Sequence, residues 1–411
     1  MVAELARAAD DGIVAIPGGR YFGFVIGGAV PAALAADWLT SAWDQNAGLY
    51  VGGPAASVAE EVAGEWLREL LGLPASASFG FVTGCQMAHV TALAAAREHV
   101  LAEAGWDVNR DGLAGAPPIR VLCGAKVHVT VPRALRLLGI GASALVAVAA
   151  DDQGRMRADA LAEALASGGG PTIVCAQAGE VNTGAVDPLP EIAALGRDAG
   201  AWLHLDGAFG LWAAASPTLA HLVDGADLFD SWATDAHKWL NVPYDNGVAF
   251  CAHPQAHQRA MGVHADYLVH AERGGPRDQM EWNPEFSRRA RGFTVYAALS
   301  SLGRSGVADL VDRCCAHARR FGEELARLEG VELLNEVVLN QVLFRYESDE
   351  RTDQVLRRVQ ASGEAWMAGT IWDGRKAIRI SVSNWQTSED DVARTLGAFA
   401  AAYAAEEAPA R

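Results

Sequence analysis

Three lysines occur in the 411 residues, Lys126, Lys238 and Lys376, so chemistry that needs a primary amine has three candidates. Lys238 stands in Thr234-Asp-Ala-His-Lys-Trp239, beside His237 and shortly after Asp235. About 30 residues upstream, the apolar run Trp202-Leu-His-Leu-Asp206 ends on a carboxylate, followed by Gly207-Ala208. Earlier still, Gly80-Phe-Val-Thr-Gly-Cys-Gln86 leads into a helical pattern. The free N–H groups of a helix start suit a phosphate. A lysine, an upstream carboxylate and an anion site together suit a phosphorylated aldehyde cofactor. The amine forms an imine with the aldehyde. The carboxylate keeps a ring nitrogen protonated, so that the ring can accept electrons. Each piece alone is weak. An aspartate that closes a strand commonly caps a turn, a lone lysine is commonly a surface charge, and Thr-Gly before a helix is ordinary capping. The joint order and spacing carry the reading.

Such residues need a scaffold that gathers them. Short apolar runs typical of buried parallel strands occur at Ile119–Cys123, Leu145–Ala149, Thr172–Gln177, Trp202–Asp206 and Val248–Cys251. Helical patterns fall around 86–101, 131–139, 158–166 and 188–199. Strands alternating with helices predict an α/β fold with a parallel sheet, and open sheets of this kind bind ligands at the C-terminal ends of their strands. Before this core, a helix is expected from Pro31 and an amphipathic one over 55–71, closed by Pro74. Residues 252–290 lack periodicity and contain Arg273-Gly-Gly-Pro-Arg277, a loop signal. From about 305 a long helix (308–328), strand-like runs at 331–334, 342–346 and 377–382, and a last helix from Ser388 predict a small α+β domain. The expected division is 1–50, 51–304 and 305–411.

Taken together, these segments resemble the group II pyridoxal-phosphate-dependent amino-acid decarboxylases, the family of the aromatic-L-amino-acid and glutamate decarboxylases. His-Leu-Asp-Gly-Ala-Phe-Gly (204–210) and Asp-Ala-His-Lys-Trp-Leu (235–240) carry the resemblance, which runs from about Tyr21 to Trp385. It implies fold type I: a large, mostly parallel seven-stranded pyridoxal-phosphate domain and a small C-terminal domain. It also implies an N-terminal segment swapped across a homodimer, with the active site at the interface. By the same resemblance, Lys238 is the Schiff-base lysine, Asp206 the partner of the pyridine nitrogen, and Ala208 the small residue under the ring. His128 stacks on the opposite ring face. Cys85 and Gln86 hold the phosphate loop, supported by Asp235 and His237, while Ser231 takes a cofactor-side position. Gly292 lies in a stretch that reaches the partner subunit's phosphate, and Tyr267 is the proton donor of a mobile catalytic loop. Phe24, Leu49 and Tyr50 match segments lining the side-chain pocket, which implies an aromatic or apolar amino acid. The implied reaction is decarboxylation to the amine. An aldehyde synthase, a C–C lyase, an aminotransferase and a cofactor-binding pseudo-enzyme are the alternatives.

The chain also departs from the family. The usual Ser/Thr-Gly-Gly-Ser/Thr-Glu-Ala-Asn loop reads Thr83-Gly-Cys-Gln-Met-Ala-His89 here. Asp235 adds a carboxylate near the expected phosphate, a weakness unless a backbone donor or His237 takes it up. The chain begins late relative to the family, so part of the swapped segment is expected to be missing.

The bulk properties narrow the partners. A formal charge of −17 argues against nucleic acid and anionic membrane surfaces. The longest apolar stretch, 137–150, is broken by glycines and falls short of the roughly 18 residues that a membrane span needs. No basic stretch followed by an apolar run opens the chain, so no secretory leader is expected. Six cysteines include no C-x-x-C pair, so no metal is expected, and a reduced cytoplasmic protein is.

Overall fold

The computed structural model describes residues 1–405 apart from 264, 266, 267, 269 and 271–274. Tyr267 thus lies outside the described residues. The larger sheet has seven strands: β1 (Ser78–Val82), β2 (Arg120–Gly124), β3 (Leu145–Val148), β4 (Thr172–Gln177), β5 (Trp202–Asp206), β6 (Ser231–Asp235) and β7 (Gly247–Cys251). Their order is β1-β7-β6-β5-β4-β2-β3, and only β7 runs against its neighbours. Every residue of β1, β4, β5, β6 and β7 is buried, which explains why these strands read as apolar runs and not as alternating ones. The smaller sheet is antiparallel, in the order β10 (Ala368–Trp372), β11 (Arg375–Ser381), β9 (Gln341–Tyr346) and β8 (Val331–Leu333).

The helices are α1 (Val2–Ala9), α2 (Pro31–Trp43), α3 (Pro54–Leu70), α4 (Cys85–Glu103), α5 (Val108–Asp111), α6 (Thr130–Leu137), α7 (Ala158–Ala166), α8 (Leu189–Asp198), α9 (Pro254–Met261), α10 (Gly292–Leu325), α11 (Asp349–Ser362) and α12 (Glu389–Ala404). Proline opens α2 and α3 at their first positions, where its missing N–H has no helical partner to lose. Ser388 and Asp391 close a reciprocal capping box on α12. Helix α4 is buried on most of its surface, because it packs on β5, β6 and β7 and against α6 and α9.

Two differences from the sequence expectation have physical causes. Helix α10 begins at Gly292, some 16 residues earlier than its periodicity indicates, and carries a non-helical residue, Gly303, at φ 61°. The kink shifts the apolar stripe, so the first half does not continue the pattern of the second. The expected boundary at 304/305 lies beside this kink. Strand β10 also went unread: its burial alternates and it is half exposed, without the apolar density of a core strand.

Residues 17–22 lie against the small domain. Phe22 N–H donates to Trp366 O, and Ser381 N–H donates to Phe22 O. Tyr21 stacks on Trp366 with ring centroids 4.8 Å apart.

Candidate active site

The C-terminal ends of β2, β4, β5 and β6 and the start of α4 face one edge of the large sheet. Asp206 ends β5 and pairs with Ala233 of β6. Lys238 follows in the turn after β6. That turn is held from two sides. Asn241, at φ 57°, donates from Nδ2 to Trp239 O (2.8 Å) and Ser383 O (2.9 Å). Gly27 presses on it so closely that a Cβ there would lie 1.7 Å from Lys238 O, so only glycine lets the N-terminal segment close over the lysine.

Lys238 Nζ lies 3.1 Å from Asp235 Oδ2 and 6.0 Å from the centre of the Phe209 ring. Burial works to lower its ammonium, but the Asp235 carboxylate, with Cys85 and Asp206, outweighs this and raises it. The other two lysines are engaged elsewhere: Lys126 pairs with Asp373 at 2.6 Å, and Lys376 pairs with Asp353. Asp235 Oδ1 accepts the N–H of Cys85, the first residue of α4, at 2.6 Å, and His237 Nε2 lies 3.5 Å from it. The extra carboxylate is therefore tied to a backbone donor and to the lysine, the condition under which it does not oppose an anion. Gln86 is directed elsewhere: its amide donates to Thr130 O at 3.1 Å.

Asp206 is buried. Its Oδ1 accepts the Ala208 N–H at 3.1 Å and its Oδ2 lies 3.4 Å from His89 Nε2. Burial alone would raise this carboxyl. The hydrogen bond from His89 and the ammonium of Lys238 draw it well below the usual carboxylate range. Ala208 packs with Val82, Cys85, Ala88, Ala233 and Ala249, and its carbonyl accepts the Asp235 N–H. His128 follows β2. Its backbone N–H donates to Gln177 Oε1 (3.1 Å), and its Nδ1 lies 2.8 Å from Thr130 Oγ1. Burial lowers its pKa, so the ring is neutral at pH 7. Burial also pushes the Cys85 thiol well above its ordinary value.

These placements bring Lys238, Asp206, Ala208, His128, Cys85, Asp235 and His237 together. Ser231 stands apart from them. Ser231 opens β6 rather than closing it, so it pairs with His204, one layer beneath Asp206, and bonds to Trp202 and His204. Gly292 is packed against Glu60 of α3, where a Cβ would meet the Glu60 Cγ at 2.4 Å. The sequence reading missed His89, Thr130 and Gln177, which orient Asp206 and His128. The signal for His89 was available as the changed last residue of the phosphate loop, four residues after Cys85 and so on the same face of α4.

The donor set fits pyridoxal phosphate. A buried primary amine suits the aldehyde, an ionised carboxylate suits a protonated ring nitrogen, and an alanine leaves room for a flat ring. Cys85, His89 and Asp206 also bring potential metal ligands within 4.8 Å of one another.

The model of the pyridoxal-dependent decarboxylase conserved domain matches residues 20–347. L-2,4-diaminobutyrate decarboxylase of Rhizobium meliloti (strain 1021) is 32% identical over 90% of this chain and 75% of its own length. Aromatic-L-amino-acid decarboxylase of Bacillus atrophaeus is 28% identical over 92% of this chain and 79% of its own. The crystal structure of Oryza sativa TDC with PLP and tryptamine shares the fold, with a TM-score of 0.91 at 23% identity, covering 98% of this chain and 87% of that one. The chain belongs to the pyridoxal-dependent decarboxylases, carboxy-lyases that act on amino acids with pyridoxal phosphate.

Proposed function

We propose that the protein decarboxylates an aromatic or apolar L-amino acid to its amine, as a cytoplasmic homodimer. The observation that carries this reading is the convergence of Lys238, Asp206 and His128 at the C-terminal ends of β6, β5 and β2, along one edge of the large sheet. Pyridoxal phosphate, when bound, supplies the electron sink for the pair left behind by the departing carboxylate. Lys238 would hold the cofactor's aldehyde carbon through its amine. Asp206, anionic and fixed by two donors, keeps the ring nitrogen protonated. His128 has its Nδ1 engaged by Thr130, which leaves Nε2 for the substrate side of the ring. The Cα–carboxylate bond breaks, carbon dioxide leaves, and Tyr267 delivers the proton that Cα takes up. Cys85 would hold the phosphate at the start of α4, with Asp235 and His237 beside it, and Gln86 would do so through its backbone N–H, since its side-chain amide donates to Thr130 O.

The substrate class rests on the resemblance at Phe24, Leu49 and Tyr50. Phe24 is 59% exposed and stacks on Trp366, while Leu49 and Tyr50 are half-buried. Six buried, unpaired cysteines fit a reducing compartment. No described helix is long and apolar enough to cross a membrane.

The deciding experiment incubates the holoenzyme with a panel of aromatic, aliphatic, acidic and basic L-amino acids, including L-2,4-diaminobutyrate. It measures carbon dioxide, amine, aldehyde, peroxide and keto acid. Amine and carbon dioxide in equal amounts from an aromatic or apolar substrate are expected. Turnover of L-2,4-diaminobutyrate alone would remove the substrate class. Aldehyde with peroxide, or keto acid, as the main product would remove simple decarboxylation.

A further inference from the structure

Behind Asp206, away from the cofactor side, five side chains from three elements form one buried line. His89 Nε2 of α4 lies 3.4 Å from Asp206 Oδ2. His89 Nδ1 lies 2.9 Å from His204 Nε2 of β5. His204 Nδ1 lies 2.9 Å from Ser231 Oγ of β6. The Trp202 indole N–H donates to the same Ser231 Oγ at 2.9 Å. His89, His204 and Ser231 are fully buried and Trp202 nearly so.

The two ends of this line fix every proton in it. An ionised aspartate only accepts, so His89 must present an N–H at Nε2. A neutral His89 then accepts at Nδ1, so His204 donates from Nε2 and accepts at Nδ1, and Ser231 donates its hydroxyl proton there. At the far end an indole only donates, which leaves Ser231 free to do so. The charged alternative fails on the same count. Were His89 or His204 an imidazolium, Ser231 Oγ would accept from both Trp202 and His204. Its own proton would then have no acceptor among the described residues, at the cost of a buried unsatisfied donor. Cys85 Sγ, 3.5 Å from His89 Nε2, is a second acceptor for the same proton, so that N–H is not free to hold a metal.

We propose that His89, His204, Ser231 and Trp202 form a one-way hydrogen-bond relay that positions Asp206 and holds it as an anion facing the cofactor's ring nitrogen. Each bond polarises the next, so the whole line acts on the last acceptor. His89 is a positioning residue that acts through Asp206. The relay also accounts for the departure at position 89. The asparagine usual in the family at this position carries one acceptor and one donor, and a neutral imidazole keeps that pair. It explains Ser231 as well, which reaches the cofactor only through the two histidines.

The proposal rests on Asp206 being the ring-nitrogen partner, and the test separates the two. Protein labelled with 15N-histidine is studied without and with pyridoxal phosphate, and the signals are assigned with His89→Gln and His204→Gln. At pH 7 both histidines are expected as neutral Nε2–H tautomers in either state. Trp202→Phe, which leaves Asp206 and Lys238 untouched, is expected to let Nδ1–H tautomer appear at His204. Titration of apoprotein with pyridoxal phosphate gives the second readout. His89→Leu is expected to weaken cofactor binding about 10- to 100-fold, the loss of one hydrogen bond to a charged group. His89→Gln, which restores both a donor and an acceptor, stays within a few-fold of wild type. An imidazolium or an Nδ1–H tautomer at His89 in the wild type overturns the relay. So does a His89→Leu variant that binds the cofactor as tightly as wild type. Asp206→Ala with unchanged cofactor affinity would instead overturn the role of Asp206 on which the relay depends.

Discussion

Lys238 is the residue on which the chemistry turns, and its surroundings make its removal easy to read. It is one of three lysines, and the other two are committed to ion pairs at the surface. No other described amine can take its place. Lys238→Ala is therefore expected to lose the visible absorbance that pyridoxal phosphate acquires as an imine, together with turnover. A variant that keeps both would remove Lys238 from the mechanism. The residues nearest the lysine in sequence were legible because one strand end or one turn brings them together: Asp235, His237 and Lys238 after β6, Asp206 and Ala208 after β5. Residues whose role depends on contacts across the fold were not. His89 and His204 are 115 positions apart, and nothing in either segment announces a 2.9 Å contact. Ser231 was misplaced for a related reason. Its offset from Lys238 is visible in the sequence, but the strand that carries it to the opposite end of the sheet is not.

At the scale of elements, one buried ion pair ties the approach to α10 to α3 and β1. Arg288 precedes α10 and donates to both oxygens of Glu60 of α3 at 2.9 Å, to Ala47 O and to Phe81 O of β1. The side chains of the pair are fully buried. Burial pushes the Glu60 carboxyl up, and Arg288 beside it works against that. Arg288→Met would leave Glu60 without its counter-ion and is expected to cost about 3–5 kcal/mol of stability. The Arg288→Met, Glu60→Gln double variant should recover part of this, since no buried charge remains. Urea midpoints at fixed protein concentration measure both. A loss below about 1 kcal/mol in the single variant would show that the pair does not tie these elements together. Elements with dense apolar runs were legible, and Thr172–Gln177 and Trp202–Asp206 end where the sequence places them. Strand β6 is absent from the apolar runs that indicate strands, because Thr234 and Asp235 are polar although buried. Their hydrogen bonds to Gly207 O and Cys85 N–H satisfy them there, and that compensation is invisible in a linear pattern.

At the scale of the molecule, exposed tryptophans gather on α2 and α3, at the end of the segment expected to contact a partner and just beyond it. Trp38 is 68% exposed, Trp43 50% and Trp66 39%, with Leu39, Val51 and Val58 near them in sequence on α2, α3 and the turn between. Isolated exposed apolar residues are normal, but three tryptophans in about 30 positions form a surface that the proposed dimer would cover. Two of these rings lead to α10. Trp43 meets Phe293 edge-on at 5.2 Å, and Trp66 stacks on Tyr296 at 5.1 Å. Gly292 and Phe293 are the stretch for which the resemblance implies a reach across the dimer, so the exposed tryptophans continue into it. The chain's charge of −17 opposes self-association through long-range repulsion, which leaves apolar contact as the attraction that must outweigh it. Trp38→Glu adds a further negative charge to that surface without touching the Lys238 site. Sedimentation at micromolar concentration should give twice the chain mass for the wild type and a shift towards the single-chain mass for the variant. High salt should tighten the wild-type dimer, because it screens the repulsion and leaves the apolar contact in place. Cofactor affinity should fall with dimer content if the partner's stretch completes the phosphate site. A wild type that sediments as a single chain at these concentrations would end the homodimer reading and leave the exposed tryptophans for another partner.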